Sequence, residues 1–183
     1  KRSRSDDKEL HRLIEYIHSS YDQRLVGFIG GEPQFLSISF HSDADFAGDR
    51  QDAKSTSGTF IALVGPHTFF PLCAASRKQT AVSLPSAESE IVAACVGGKD
   101  AIVMKDLWNV LLERDPVVTL YEDNQAAAEI MQSGRFPTLR HVQRTHGIVV
   151  SWLCEEIRKD VFRVADCHTE RMAADVFTKF FIN

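Results

Sequence analysis

Four carboxylates stand where a polar side chain can reach the rim of a core. Asp43 lies in FHSDADFAGD, at the end of an alternating, strand-like run, and Glu90 lies in SAESEIVAA, in the first turns of a long helical pattern. Asp123 closes the β-branched run PVVTLYED at a strand-to-helix junction, and Asp175 sits in MAADVF among apolar neighbours. In open sheets flanked by helices, function gathers beyond the carboxyl ends of the strands, and Asp43 and Asp123 meet there if their strands are parallel neighbours. Acids brought together repel and partly protonate unless positive charge joins them. Mg²⁺ suits such a group, being a hard cation that takes carboxylate oxygens and keeps waters in its remaining positions. Two such ions about 4 Å apart activate a water and stabilise the leaving oxygen of a phosphodiester. Each acid taken alone also has a plainer reading: Asp43 as an edge or turn acid, Glu90 as a first-turn acid, Asp123 as an N-cap, Asp175 as an ion-pair partner of Lys179 at i+4.

The elements that must carry these acids follow from periodicity. ELHRLIEYIHSS places Leu10, Leu13, Ile14 and Ile17 at helical spacing, after a polar lead-in over residues 1–8. LSISFHSDADFAG alternates, with Leu36, Ile38, Phe40 and Ser42 on one face and Ser39, His41, Asp43 and Asp45 on the other. STSGTFIALVG and HTFFPLCAASRKQ are apolar runs separated by Gly65–Pro66, so three strands form an antiparallel meander. SAESEIVAACVGGKDAIVMKDLWNVLLER is the longest helical pattern, with Ser86 as its N-cap. Gly97–Gly98 makes it either two helices or one helix whose small-residue face lies close to the sheet. PVVTLYED reads as a buried strand and NQAAAEIMQSG as a helix ending at Gly134. LRHVQRTHGIVVSWLCEEIRK reads as a second long helix, DVFRVAD as a last strand, and ERMAADVFTKFF as a last helix. Meandering strands followed by β/α alternation imply an α/β chain with a mixed sheet and helices on its faces.

Length and composition are those of one domain, or one domain with an appendage: 183 residues, 44% hydrophobic and 25% charged. A formal net charge of −4 carries no global basic signature of nucleic-acid binding, but a site for divalent ions is itself acidic and a local basic patch suffices. Cys73, Cys95, Cys154 and Cys167 show no CxxC spacing and read as reduced, mostly buried thiols of an intracellular protein. No apolar run of about 18 residues occurs, so no membrane span is expected. The chain opens KRSRSDDKEL without a Met or a signal peptide, and is expected to be a piece of a longer polypeptide.

The wording around the acids is more specific than their pattern. SDADFAGD, KSTSGTFIAL, SRKQTAVSLPSAESEIVAA, LYEDNQAAAEI, RHVQRTH and ADVFTK occur in this order from about Leu10 to Lys179. The set resembles the RNase H domain of copia-type (pseudoviridae) retrotransposon polyproteins, whose usual forms are SDADWAGD, KSTSGY, SKKQ, STEAEY, DNQSA and ADIFTK. The resemblance implies an RNase H-like fold: a five-stranded mixed sheet, strands 1–3 antiparallel, with helices on both faces. It assigns 1–34 to a lead-in and the end of the connection region behind a polymerase, and 35–183 to the RNase H domain. It implies an endoribonuclease that hydrolyses the RNA strand of RNA/DNA hybrids with two Mg²⁺ (or Mn²⁺), Asp43 and Asp175 holding one ion and Glu90 and Asp123 serving the other or shared between the two. The implied setting is a reverse transcriptase in the cytoplasm, within virus-like particles, with no membrane and no small-molecule substrate. Phe46 replaces the family's Trp, PSAESEI its STEAEY, Gln143 an acid, and TKFF its TKPL; no assigned ligand is lost. A decayed nucleic-acid-binding or structural module, or another nuclease on the same fold, are the alternatives.

The remaining candidates are softer. His168, seven residues before Asp175, would act as an acid or base near neutral pH, as the mobile His of cellular-type enzymes does, or is a surface residue. Asp45 reads as a turn acid, and Glu88 and Glu122 as solvated. His141 and His146 are about 140° apart on a helix, so they do not chelate one metal and fit substrate contact or packing. Phosphate contacts dominate nucleic-acid affinity. The local basic residues are Arg77, Lys78, Arg135, Arg140 and Arg144, and the polar ones able to read groove and 2′-hydroxyls are Gln79, Ser86, Asn124 and Gln125.

Overall fold

The computed structural model describes residues 4–48, 52–83, 86–135 and 142–179. Its centre is a sheet of β1 (Phe28–Ile29), β2 (Ser37–Asp45), β3 (Thr56–Gly65), β4 (Thr68–Lys78), β5 (Val118–Glu122) and β6 (Phe162–Asp166). Across the sheet the order is β1-β4-β3-β2-β5-β6. β2, β3 and β4 form the antiparallel meander that the alternating runs imply, while β5 pairs parallel with β2 and β6 parallel with β5. The sheet thus has six strands rather than five. The addition is β1, which pairs Phe28 with Phe69 and Ile29 with Thr68 at the edge of β4. Two residues are too few for an alternation to show in sequence.

The helices are α1 (Arg4–Ser20), α2 (Ser86–Leu112), α3 (Gln125–Ser133), α4 (Val142–His146) and α5 (Val150–Arg158). α1 starts at Arg4, within the expected lead-in, and leaves Leu10, Leu13, Ile14 and Ile17 exposed. α2 is one helix, and its first helical residue, not its cap, is Ser86. A Cβ on Gly97 would stand 2.5 Å from Thr59 Cγ2 and 2.8 Å from the Phe40 ring, so the glycine lets the helix lie against β2 and β3. The second long helical pattern is broken into α4 and α5 at Gly147, whose φ of +67° no helix continues. The last helix is replaced by two 3-10 turns, Thr169–Arg171 and Ala173–Phe177.

The core lies between one sheet face and α2, α3 and α5. Ile38, Phe40, Ile61, Leu63, Val118, Leu120 and Phe162 of the strands pack on Ile91, Ala94, Cys95, Ala127, Met131 and Leu153 of the helices. The four cysteines are free thiols, three of them buried. Across the sheet, His41 stacks on Tyr121 with ring centroids 4.7 Å apart, and Phe60 stands 6.3 Å from Phe177 of the last 3-10 turn. The meander therefore delivers Asp43 to the face covered by that turn, and α2 delivers Glu90 from the other side.

Candidate metal centre

Period-2 alternation puts Asp43 on the face of Ser39 and His41, at the carboxyl end of β2. β5 runs parallel beside it and ends at Glu122, so Asp123 emerges at the same rim. Glu90 enters from the first turns of α2. One carboxylate oxygen from each of Asp43, Glu90 and Asp123 lies within 4.8 Å of the other two; among the described residues this is the group that could ligate one ion. Asp43 and Glu90 are buried, Asp123 half-buried.

Asp175 is outside that trio but tied to it. Thr178, buried at the end of the last 3-10 turn, donates its hydroxyl to Asp43 Oδ2 and contacts the Asp175 carbonyl at 3.2 Å. Asp175 itself pairs with Lys179 through Oδ2, while its buried Oδ1 has no hydrogen-bond partner among the described residues. The turn approaches because residue 58, the cross-strand partner of Asp43, is glycine: a Cβ there would stand 2.6 Å from the Ala174 carbonyl oxygen.

The electrostatics are those of an acid group short of positive charge. Burial first, then the fields of Glu122, Asp43 and Asp123, push the Glu90 carboxyl up to about 10, against a bond from the Ala44 N–H. Glu90 Oε2 has no hydrogen-bond partner among the described residues. Asp43 is raised by burial, opposed by the Thr178 bond, and raised further by Asp175 and Asp123. Hard oxygen donors, unpartnered buried oxygens and raised pKa values fit a divalent cation of the Mg²⁺ kind.

Glu122 and Glu88 are not solvated. Glu122 shares the buried face of Val118 and Leu120, and burial pushes it up to about 8, against the bond that the Asn124 N–H donates at 3.2 Å. Strand alternation from Val118 and Leu120 carries Glu122 inward, a signal present in the sequence. Glu88 is buried against His146, Oε1 to Nε2 at 3.2 Å, a pairing across 58 positions that local patterns do not reveal. His146 is therefore not a surface contact for nucleic acid. Gln79 is buried too, its amide donating to Ser57 Oγ at 3.0 Å and to the Ser89 carbonyl at 2.9 Å, with Ser83 donating to its oxygen. This polar network joins β3, β4 and the start of α2. Glu88→Ala is expected to destabilise the fold by about 1–3 kcal/mol in denaturant melts, because it removes the carboxylate that a buried imidazole pairs with.

The other predicted contacts divide. Arg77 and Lys78 are exposed at the end of β4, paired with Asp100 at 2.8 Å and Asp52 at 3.0 Å. Ser86 and Gln125 are exposed near the acids' own elements, and Asn124 caps α3 by accepting the Ala127 N–H at 3.1 Å. Arg140 and His141 lie outside the described residues. His168 is exposed, with Nδ1 accepting the Glu170 N–H at 3.3 Å; its neighbour Thr169 donates to Asp123 Oδ2 at 2.9 Å. Sequence reasoning missed Thr169, Thr178 and Gly58. Asp45 turns back into its own loop beside Gly48.

No protein-family model matches the chain. It is 26% identical over 189 residues to the retrovirus-related Pol polyprotein from transposon RE1 of Arabidopsis thaliana, covering 93% of this chain and 12% of that protein. It is 26% identical over 168 residues to the retrovirus-related Pol polyprotein from transposon TNT 1-94 of Nicotiana tabacum, covering 91% of this chain and again 12% of the relative. The chain spans about an eighth of the length of these relatives. Among solved structures it resembles LC11-RNase H1, isolated from compost, with a TM-score of 0.50 and 17% identity over 78% of this chain and 92% of that one. The same enzyme in complex with an RNA/DNA hybrid matches with a TM-score of 0.50 and 16% identity, over 78% of this chain and 94% of that one.

Proposed function

We propose, for a chain that has the ribonuclease H-like fold and is homologous to copia-type retrotransposon Pol polyproteins, that it is a ribonuclease H acting on the RNA strand of RNA/DNA hybrids. The observation that carries the reading is the convergence of Asp43, Glu90 and Asp123, from two strand ends and a helix, within 4.8 Å. A retained fold with a decayed site has no need to keep three repelling acids at one rim.

Asp43, Glu90 and Asp123, with Asp175 beside them, would hold two Mg²⁺ or Mn²⁺. When bound, such ions supply an activated water and stabilise the leaving oxygen of the scissile phosphodiester. The chain's own residues do the positioning. Thr178 donates to Asp43 Oδ2 and Thr169 to Asp123 Oδ2, and each bond orients its carboxylate at the rim. The Ala44 N–H anchors one side of Glu90. Exposed Arg77, Lys78, Ser86 and Gln125 are the candidates to meet phosphates and 2′-hydroxyls. His168 stands in the segment that carries Thr169, and its exposed imidazole is the candidate to pass a proton to or from the reacting group.

In the polyprotein the domain would serve the reverse transcriptase that precedes it, residues 1–34 closing the connection region, in virus-like particles. None of the described helices is long and apolar enough to cross a membrane. Incubating the chain with a labelled hybrid and Mg²⁺ tests the activity. RNA-strand cleavage is expected, with duplex DNA left intact. Hybrid binding without turnover points to a decayed module, and cut duplex DNA to another nuclease.

A further inference from the structure

The acid group contains a cation of the chain's own. Lys179 Nζ pairs with Asp175 Oδ2 at i+4. The neighbouring Thr178 bonds Asp43 Oδ2 and contacts the Asp175 carbonyl, so this ammonium is held on the acid that lies beside the trio. Two oxygens of the group meanwhile have no hydrogen-bond partner among the described residues: Asp175 Oδ1, and Oε2 of Glu90, a residue only 6% exposed.

We infer that Lys179 is the resident counter-cation of this centre, holding Asp175 while no divalent ion occupies that side and yielding it when one binds. This rests on the metal-dependent reading of the site and adds a control on how readily the site loads. The parts that move and the parts that stay are distinguishable. Thr178 is buried and bonded to Asp43, so the backbone of the turn is fixed. The Lys179 side chain is 57% exposed and can carry its ammonium into water without disturbing the turn. An ammonium beside the acids opposes a divalent ion twice, by occupying Asp175 and by repulsion.

The size of the effect follows from the exposure of the pair. Ion pairs of this kind contribute up to about a fivefold equilibrium factor, and repulsion adds to it. Lys179→Met should therefore bind Mn²⁺ about three- to tenfold more tightly than the wild type, while Lys179→Arg restores wild-type affinity. The experiment is a calorimetric titration of the 183-residue chain with Mn²⁺ alone, without nucleic acid, with Asp43→Asn as control. Equal or weaker Mn²⁺ binding by a folded Lys179→Met protein overturns the inference and leaves the metal reading standing. The inference is equally overturned if only the KM for hybrid moves while Mn²⁺ affinity does not, since Lys179 is then a substrate contact. If wild type and Asp43→Asn bind Mn²⁺ alike, or neither binds it, the metal reading itself fails and takes the inference with it.

Discussion

Glu90→Gln is expected to stop hydrolysis of the hybrid while making the metal-free chain more heat-stable. Both signs come from one feature. Glu90 is buried among Glu122, Asp43 and Asp123, and burial with their fields carries its pKa from 4.5 to about 10. A carboxyl raised in the folded state contributes stability that is complete below its unfolded value and is lost as pH rises toward its folded one. The metal-free wild type should therefore lose stability steadily between about pH 5 and pH 9. Glutamine keeps the volume, carries no charge and has nothing to protonate, so the variant's melting curve should be flatter with pH. At pH 8 it should melt about 3–6 °C higher than the wild type without metal. Adding Mg²⁺ should narrow or reverse that difference, because only the wild type gains stability from a bound ion. Cleavage should fall more than about 100-fold, since Glu90 is proposed as a ligand rather than as one of its supports. Scanning calorimetry over that pH range, with Mg²⁺ and with EDTA, checks the stability claim separately from the assay. A variant that melts below the wild type in EDTA at pH 8 would show that Glu90 is held by compensating contacts rather than stranded for want of a cation.

The difference between what the sequence discloses and what it hides follows the same physics. Asp43 was legible because strand alternation is strict: once Ile38 and Phe40 face the core, Asp43 must take the other face, at the strand's end. Asp123 was legible because a β-branched run ends beside it, and Glu90 because a helix opens four residues earlier. The mixed topology followed from a meander succeeded by β/α alternation. Polar residues buried through remote partners were hidden. Gln79 and Glu88 read as surface residues, and His146 as a substrate contact or a packing residue, because Ser57 for Gln79 and the Glu88–His146 pairing lie across the fold. The end of the chain was hidden for another reason. MAADVF has apolar residues at plausible helical spacing, but the backbone there adopts 3-10 turns that drop Thr178 onto Asp43. Docking of that kind is a property of the surface beneath, and the surface is a glycine.

Gly58→Ala should consequently remove most of the activity while leaving the three-acid group in place. Gly58 is opposite Asp43 on β3, and the added Cβ would meet the Ala174 carbonyl oxygen and Thr178 Cγ2, each at 2.6 Å, and Phe177 Cβ at 3.2 Å. The first of these is backbone, and Thr178 is β-branched with little rotamer freedom, so neither can swing aside. β3 is also fixed, paired on both sides by β2 and β4. The turn Ala173–Phe177 must lift, which separates Asp175 and Thr178 from Asp43. Overpacking of this size costs about 1–3 kcal/mol, so the protein should fold with a lowered melting temperature. Cleavage should drop about 100-fold or more, as misplacement by about 1 Å suffices for such a loss. Mn²⁺ binding to Asp43, Glu90 and Asp123 should survive, because none of their backbones is moved. Thr178→Val supplies the comparison. It keeps the shape and the fit on Gly58 but deletes the hydroxyl bond to Asp43, and should lower cleavage only about tenfold. If Gly58→Ala cleaves as fast as Thr178→Val, the turn accommodates the methyl group and the position of Asp175 does not depend on the glycine. If Gly58→Ala is far slower, with the trio still binding Mn²⁺, then the fourth acid is held in place by an absent side chain on the strand opposite the first.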